Sequence, residues 1–367
     1  DASGDKKNVA CQRLLTLSGQ LLPSPVLAAA TADSFPPVSW HVLILGANGV
    51  VGRAAVQLFD TQGPLWRVTA VTKDRELDFP TTATRHVSVD LTDKAACETV
   101  FGQMHDITHV VYAAMFEKTD DVFASFGSTE EVETNDLMMR NFLFPLLSAA
   151  KGLKSVQILQ GGKAYGVHKI GVRTELSPYK ERAPRVEHGP SFYWRQEDFL
   201  KEQQEASGGA WTYTIWRPSL MFGYSRNSPF NFLFALAVHA VVTRELGRPL
   251  SYTGFPAKVV SDFTDTRLQA KAFLWAATAP TAANQAFNIT NGDHMVWQNM
   301  YPKIAAFFGM ESDAPEPVQL NVEMRKPAFK MAWASIVRKH NLAMDEILDE
   351  TNFASFRMAD FNIGMTA

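Results

Sequence analysis

The run Gly46-Ala-Asn-Gly49-Val-Val-Gly52 is spaced to cradle a diphosphate. The first glycine permits a tight turn and the second lets the backbone come close to the phosphates. The third lets the following helix pack closely. That helix would present free N–H groups and its positive dipole end to the anion. A purely structural glycine turn is the plainer account. However, the apolar run His41–Leu45 precedes the motif and a helical stretch from Gly49 to Asp60 follows it, which is the context a dinucleotide requires. Further on stands Thr72-Lys73-Asp74-Arg75. An acidic residue after the second strand binds the ribose 2′-hydroxyl of NAD, and a basic one accepts the 2′-phosphate of NADP. Lys73 and Arg75 favour NADP, while Asp74 keeps NAD open.

Other chemistry-bearing residues are less well placed. Tyr165-Gly-Val-His-Lys169 has the Tyr-x-x-x-Lys spacing that unites a phenol and an ammonium on one helix face. Gly161, Gly162 and Gly166 surround it, so a loop is expected there and the pair is a decoy, although Tyr165 can still border a substrate. His105 and His109 are four residues apart but straddle the start of a strand, and no metal site is expected from them. The two cysteines, Cys11 and Cys97, form no disulfide framework or metal pair, in keeping with a reducing compartment.

The elements that must position these residues alternate. Short β-rich runs at 41–45, 67–72, 86–90, 109–113, 155–159 and 212–216 read as strands. Helical stretches at 49–60, 92–101 and 131–150 lie between them. This pattern predicts an α/β fold, a doubly wound parallel sheet covered on both faces. After Pro218 the pattern turns helical, with 230–247, 266–279 and 296–308 as the expected helices of a smaller lobe. The division expected is a leader over residues 1–38, a dinucleotide-binding domain over 39–217, and a mainly substrate-binding lobe over 218–367 with parts returning to the core. By position, Asp90 and Leu91 would meet an adenine ring. Ala113, Ala114 and Met115 would lie under the cofactor, and Pro218, Ser219 and Leu220 beside its nicotinamide. Phe116, Met221, Phe222, Phe230 and Phe234 are candidates for an apolar pocket, although such residues are more often plain core.

Composition narrows the partners. The chain has 367 residues, 46% hydrophobic and 20% charged, with a formal net charge of −3. It can bury a sizeable core and carries no basic footprint for nucleic acid. No apolar run is long enough to span a bilayer. A small-molecule partner is expected, a homodimer is left open, and the expected compartment is the cytoplasm. Arg13–Ala32 weakly resembles a signal peptide, so export through a cleaved leader is the lesser alternative.

Five segments taken in order point to one family. They are Gly46-Ala-Asn-Gly-Val-Val-Gly52, Gln160-Gly-Gly-Lys-Ala-Tyr-Gly166, Ser191-Phe-Tyr-Trp-Arg-Gln-Glu-Asp198, Trp216-Arg-Pro-Ser-Leu-Met-Phe-Gly223 and Asn284-Gln-Ala-Phe-Asn-Ile-Thr-Asn-Gly292. From about Trp40 to the C-terminus the chain resembles the progesterone 5β-reductase/iridoid synthase-like enzymes, an atypical branch of the extended short-chain dehydrogenase/reductases with a Rossmann fold. The resemblance implies an NADPH-dependent reductase adding hydride 1,4 to α,β-unsaturated carbonyls, and hence a small apolar carbonyl substrate. It places the family lysine on Lys163. The family tyrosine falls on Trp194, with Tyr193 one residue before it. An indole N–H donates but does not titrate usefully. Either Tyr193 serves at the oxyanion, or Trp194 shapes the pocket and the chemistry is changed. The rivals are a carbonyl reductase, isomerase or cyclase on the same fold, and a sensor that binds NADPH without turnover.

Overall fold

Strand β1 (Trp40–Leu45) is apolar at nearly every position because both of its faces are covered. The computed structural model describes residues 40–82, 84–117, 128–166, 178–185, 191–226, 228, 231–253, 258, 260–316, 318–342 and 355–356. The leader, Cys11, Lys169 and Phe230 lie outside them. After β1 come α1 (Val50–Asp60), β2 (Trp66–Thr72), β3 (Arg85–Ser88), α2 (Lys94–Phe101), β4 (His109–Tyr112), α3 (Thr129–Ala149) and β5 (Ser155–Leu159). A 3₁₀ turn (Gly162–Tyr165), α4 (Phe192–Ala206), β6 (Thr212–Pro218), β7 (Leu220–Phe222), α5 (Phe232–Glu245), β8 (Val260–Ser261), β9 (Phe263–Asp265) and α6 (Thr266–Thr278) follow. The series ends with β10 (Gln285–Ile289), β11 (Met295–Val296), α7 (Trp297–Phe307), α8 (Leu320–Glu323) and α9 (Pro327–His340).

Seven strands form one sheet in the order β10-β6-β5-β4-β1-β2-β3. Every pairing in it is parallel. This is a doubly wound Rossmann sheet, as the strand–helix alternation predicts. Alternate residues of β1 feed opposite cores. Leu43 and Leu45 join Phe101 of α2, Phe142 of α3 and Phe199 of α4. Val42 and Ile44 join Ala55 and Phe59 of α1 and Phe273 of α6. Strand order reverses at β1, which has β2 on one side and β4 on the other. In an open α/β sheet the crevice at this reversal, outside the strand C-termini, is where ligands sit.

The boundaries differ from expectation in ways that local bonding explains. The third strand stops at Ser88 rather than Asp90, because its ladder with β2 ends at the Thr72–Ser88 pair. Beyond it, Asp90 accepts hydrogen bonds from the Thr92 backbone and hydroxyl and turns the chain. Asp93, Asn231 and Asp265 cap α2, α5 and α6, and set their starts. Strand β10 completes the sheet edge beside β6, which itself runs on to Pro218. Helix α5 is apolar around its whole circumference because it lies between two small cores. Ala235, Val238 and Val242 face α8 and α9, while Phe232, Leu236 and Ala240 face Tyr252, Trp297 and Tyr301.

Phe273 is fully buried and its carbonyl accepts a hydrogen bond from Gln157 of β5. Phe273→Ala is expected to cost about 3–5 kcal/mol of stability. Urea unfolding should show a lower midpoint with an unchanged slope.

Candidate active site

The glycine turn leaves no space for side chains. Gly46 adopts φ +77, and a Cβ there would lie 2.7 Å from the Ala113 carbonyl oxygen. A Cβ on Gly52 would lie 2.1 Å from the Gly46 carbonyl oxygen. Gly49 begins α1 with no side-chain cap, and the first turn of that helix holds no acidic residue. The helix N-terminus therefore keeps its positive end open to an anion. Ser225 donates to the Asn48 carbonyl and so ties the segment after β7 to this turn.

A cavity of about 500 Å³ opens from the turn across the strand C-termini. Of the residues expected at a cofactor, Gly46, Asn48, Gly49, Val50, Val51, Lys73, Arg75, Asp90, Leu91, Ala113, Ala114, Met115, Pro218, Ser219 and Leu220 all line it. Gly52 does not; it serves close packing under the turn. Lys73 Nζ lies 3.2 Å from Asp90 Oδ2. Burial works against the charge of Asp90, but its bonds from Thr92 and Lys73 hold its carboxyl below the usual range.

At the other end Lys163, Phe116 and Met221 line the cavity together with Tyr193. The Tyr193 hydroxyl sits beside Gly161, where an added Cβ would be 3.6 Å from it. Burial, then the nearby Glu117 and Glu131, push its pKa far upward. Several expected pocket residues are elsewhere. Trp194 does not line the cavity; its indole N–H donates to the Ala164 carbonyl at 3.2 Å. Neighbours on an α-helix point about 100° apart, so one residue of the pair turns away. Tyr165 is drawn off by Asn288, 2.5 Å from its hydroxyl, and stacks on Tyr179. Phe222 packs against Phe232, Phe263 and Trp297, and Phe234 lies near Phe356. His109 bonds the Ala277 carbonyl and is pushed down to about 4 by burial.

The structure adds residues that spacing did not single out. Glu117, just beyond β4, lines the cavity, as do Gln160, Phe192, Gln196 and Phe232. Lys163 Nζ is 3.0 Å from Glu131 and 3.5 Å from Glu117, both carboxyl side chains being only 1% exposed. Position after a strand end was the available signal for Glu117. Glu131 gave a misleading one. Ser128-Thr-Glu-Glu131 has the capping-box spacing, and Ser128 does accept from the Glu131 N–H. Its carboxylate, however, reaches across to Lys163.

One buried network gathers the motifs. Arg217 Nη2 meets Glu197 Oε2 at 3.0 Å, Nε donates to Gln160 Oε1 at 3.1 Å, and Nη1 donates to Tyr165 at 3.3 Å. Gln160 in turn donates to the Tyr193 carbonyl at 3.0 Å. Glu197 also pairs with Lys201 and Arg185. Burial raises its pKa, but these cations overcome that and hold it below the carboxylate range. Arg217→Ala is expected to cost about 3 kcal/mol, since it removes the most buried of the three cations around the Glu197 carboxylate. The contribution of Glu197 is present above its unfolded pKa and lost as pH falls through the lower folded one. Acid unfolding should therefore show a weaker pH dependence in Glu197→Gln than in the wild type.

The model of the NAD dependent epimerase/dehydratase family matches residues 42–290. The chain is 30% identical over 336 residues to an (S)-8-oxocitronellyl enol synthase of Antirrhinum majus, covering 87% of this chain and 81% of that protein. It is 28% identical over 356 residues to one from Catharanthus roseus, covering 94% and 86%. Among solved structures, a Thermus thermophilus UDP-glucose 4-epimerase in complex with NAD superposes with a TM-score of 0.58 at 17% identity, over 86% of this chain and 99% of that one. That likeness concerns the fold. The chain belongs to the NAD dependent epimerase/dehydratase family and, within it, to the progesterone 5β-reductase/iridoid synthase-like branch of the extended short-chain dehydrogenase/reductases, and is an NAD(P)-dependent reductase-type enzyme.

Proposed function

We propose that the protein is an NADPH-dependent reductase of α,β-unsaturated carbonyl compounds, adding hydride to the β-carbon of enals or enones. The observation that carries this reading is that Lys163 and Tyr193 line one cavity with the glycine turn. The residues present fit a dinucleotide, because the Gly46 and Gly52 positions exclude side chains and the start of α1 is uncapped. Lys73 and Arg75 border the cavity and favour the 2′-phosphate of NADP, although Asp74 borders it too. On this reading residues 39–217 chiefly bind the cofactor and 218–367 chiefly the substrate.

A bound nicotinamide cofactor would supply the hydride. The chain's part is electrostatic. The Lys163 ammonium and Tyr193 hydroxyl donate to the carbonyl oxygen as negative charge collects there. The raised pKa of Tyr193 keeps it a phenol, so it gives a hydrogen bond rather than a proton. Met115, Phe116, Met138, Phe192, Met221 and Phe232 wall the cavity and suit an apolar substrate. The relatives named (S)-8-oxocitronellyl enol synthases support chemistry that passes through an enol or enolate.

NADPH oxidation against a panel of enals, enones and simple ketones, with products identified, tests the reading. Enones should be saturated at Cβ, and Tyr193→Phe and Lys163→Ala should each lower kcat by about 10²–10³. An inactive wild type that gains turnover in Trp194→Tyr would mean the protein has left this chemistry. Titrations should show that Lys73→Ala combined with Arg75→Ala weakens NADPH binding more than about tenfold and leaves NADH binding nearly unchanged.

A further inference from the structure

Glu117 is an acid–base group in the cavity that oxyanion stabilisation by Lys163 and Tyr193 does not use. Its side chain is 1% exposed, and its Oε1 lies 3.5 Å from Lys163 Nζ. Its Oε2 is buried without a hydrogen-bond partner among the described residues. The ammonium of Lys163 is closer to Glu131, at 3.0 Å. Among the described residues two carboxyls face one ammonium, where the carbonyl oxygen must also become negative. An ionised carboxylate with a buried, unpaired oxygen is costly, and protonation removes the cost. Glu131 has the shorter contact with the cation, so Glu117 is the one to hold the proton. Among the described residues, the charged and titratable groups against it are Lys163 from the 3₁₀ turn, Glu131 from α3 and Tyr193 from α4. Burial, with repulsion from Glu131, pushes its pKa up to about 8 despite the attraction of Lys163.

We propose that Glu117 is the proton donor of the reduction, delivering its carboxyl proton to the enolate oxygen formed after hydride reaches Cβ. This rests on the ene-reductase reading above. The electron pair of the C=C bond, displaced by hydride, rests on the substrate as an enolate. The O–H bond of the Glu117 carboxyl breaks and an O–H bond to the enolate oxygen forms. The product leaves as an enol, which becomes the saturated carbonyl in water. Glu117 remains as a carboxylate beside Lys163 and recovers a proton from solvent. Lys163 and Tyr193 then hold the oxygen in place, and neither has to lose a proton.

The test uses the full chain and has two parts. Infrared difference spectra of wild type against Glu117→Gln, without cofactor, should show at about pH 7 a protonated carboxyl band that the variant lacks. The band should vanish as pH rises through about 8. With NADPH and 2-cyclohexen-1-one, wild-type kcat should fall as pH rises above about 8, because the acid must be protonated to act. Glu117→Gln should lower kcat about a hundredfold and abolish that dependence, with KM and NADPH affinity within about twofold. Absence of the carboxyl band, or a variant with wild-type kcat and pH profile, overturns the proposal. A wild-type kcat that stays flat from about pH 6 to 10 also overturns it, even if the variant does not fold. If the wild type binds NADPH but saturates no enone, the ene-reductase reading falls and the donor role with it. Enone turnover that is indifferent to Glu117 overturns the donor role alone.

Discussion

The contact between Arg217 Nη2 and Glu197 Oε2, 3.0 Å long and buried, joins the end of β6 to the middle of α4. Removing two charges from water costs several kcal/mol per ion, and good geometry repays it only when the remaining donors and acceptors are satisfied. Gln160, Tyr165, Lys201, Arg185 and the Glu181 carbonyl meet that demand. Satisfying the pair therefore brings the ends of β5 and β6, the 3₁₀ turn and α4 to one point. Gln160 bonds the Tyr193 carbonyl and so sets how the first turn of α4 is rotated. With that rotation Tyr193 faces the cavity and Trp194 faces the Ala164 carbonyl. At the place where the family tyrosine falls, Trp194 therefore bonds backbone and does not line the cavity.

The cavity has two electrostatic characters. Near the glycine turn lie Lys73 and Arg75, with Asp90 and Asp74 beside them, and the uncapped N-terminus of α1. Near Tyr193, apolar walls surround the Lys163 ammonium and the Glu117 carboxyl, and the buried Glu131 carboxyl lies 3.0 Å from that ammonium. Burial raises the pKa values of Glu117 and Tyr193 alike. Groups perturbed by burial and a charged neighbour, gathered in a cleft, mark a candidate functional site. The fold brings the two halves together because strand order reverses at β1, which leaves a crevice where the glycine turn meets the end of β4.

What was legible in the residues themselves was local. Strands β1, β2, β4 and β5 were readable because a strand covered on both faces is mostly apolar and β-branched. The glycine turn was readable because backbone that must pass within 2.7 Å of where a Cβ would stand leaves only one residue type. The class of fold, the parallel sheet and the family followed from the order of such segments.

Tertiary structure decided which side chains meet. Lys163 and Glu131 are 32 residues apart, and Tyr165 and Asn288 are 123 apart. No spacing rule links such residues. The same limit applies to rotation within an element. Phe222 and Phe234 carry the composition of a pocket but pack into the two small cores on either side of α5, and the Tyr165 hydroxyl meets Asn288. The position of β10 at the sheet edge depends on pairing with β6, which its five residues do not encode by themselves. The acidic setting of Lys163 was hidden for the same reason. Glu131 satisfies a helix-start pattern locally, and only the packing of α3 against the 3₁₀ turn gives its carboxylate a partner. The sequence by itself determined the sheet, the glycine turn and the family, because these depend on near neighbours along the chain. The charge state and facing of the site were decided only in the fold, because burial and distance between remote segments set them.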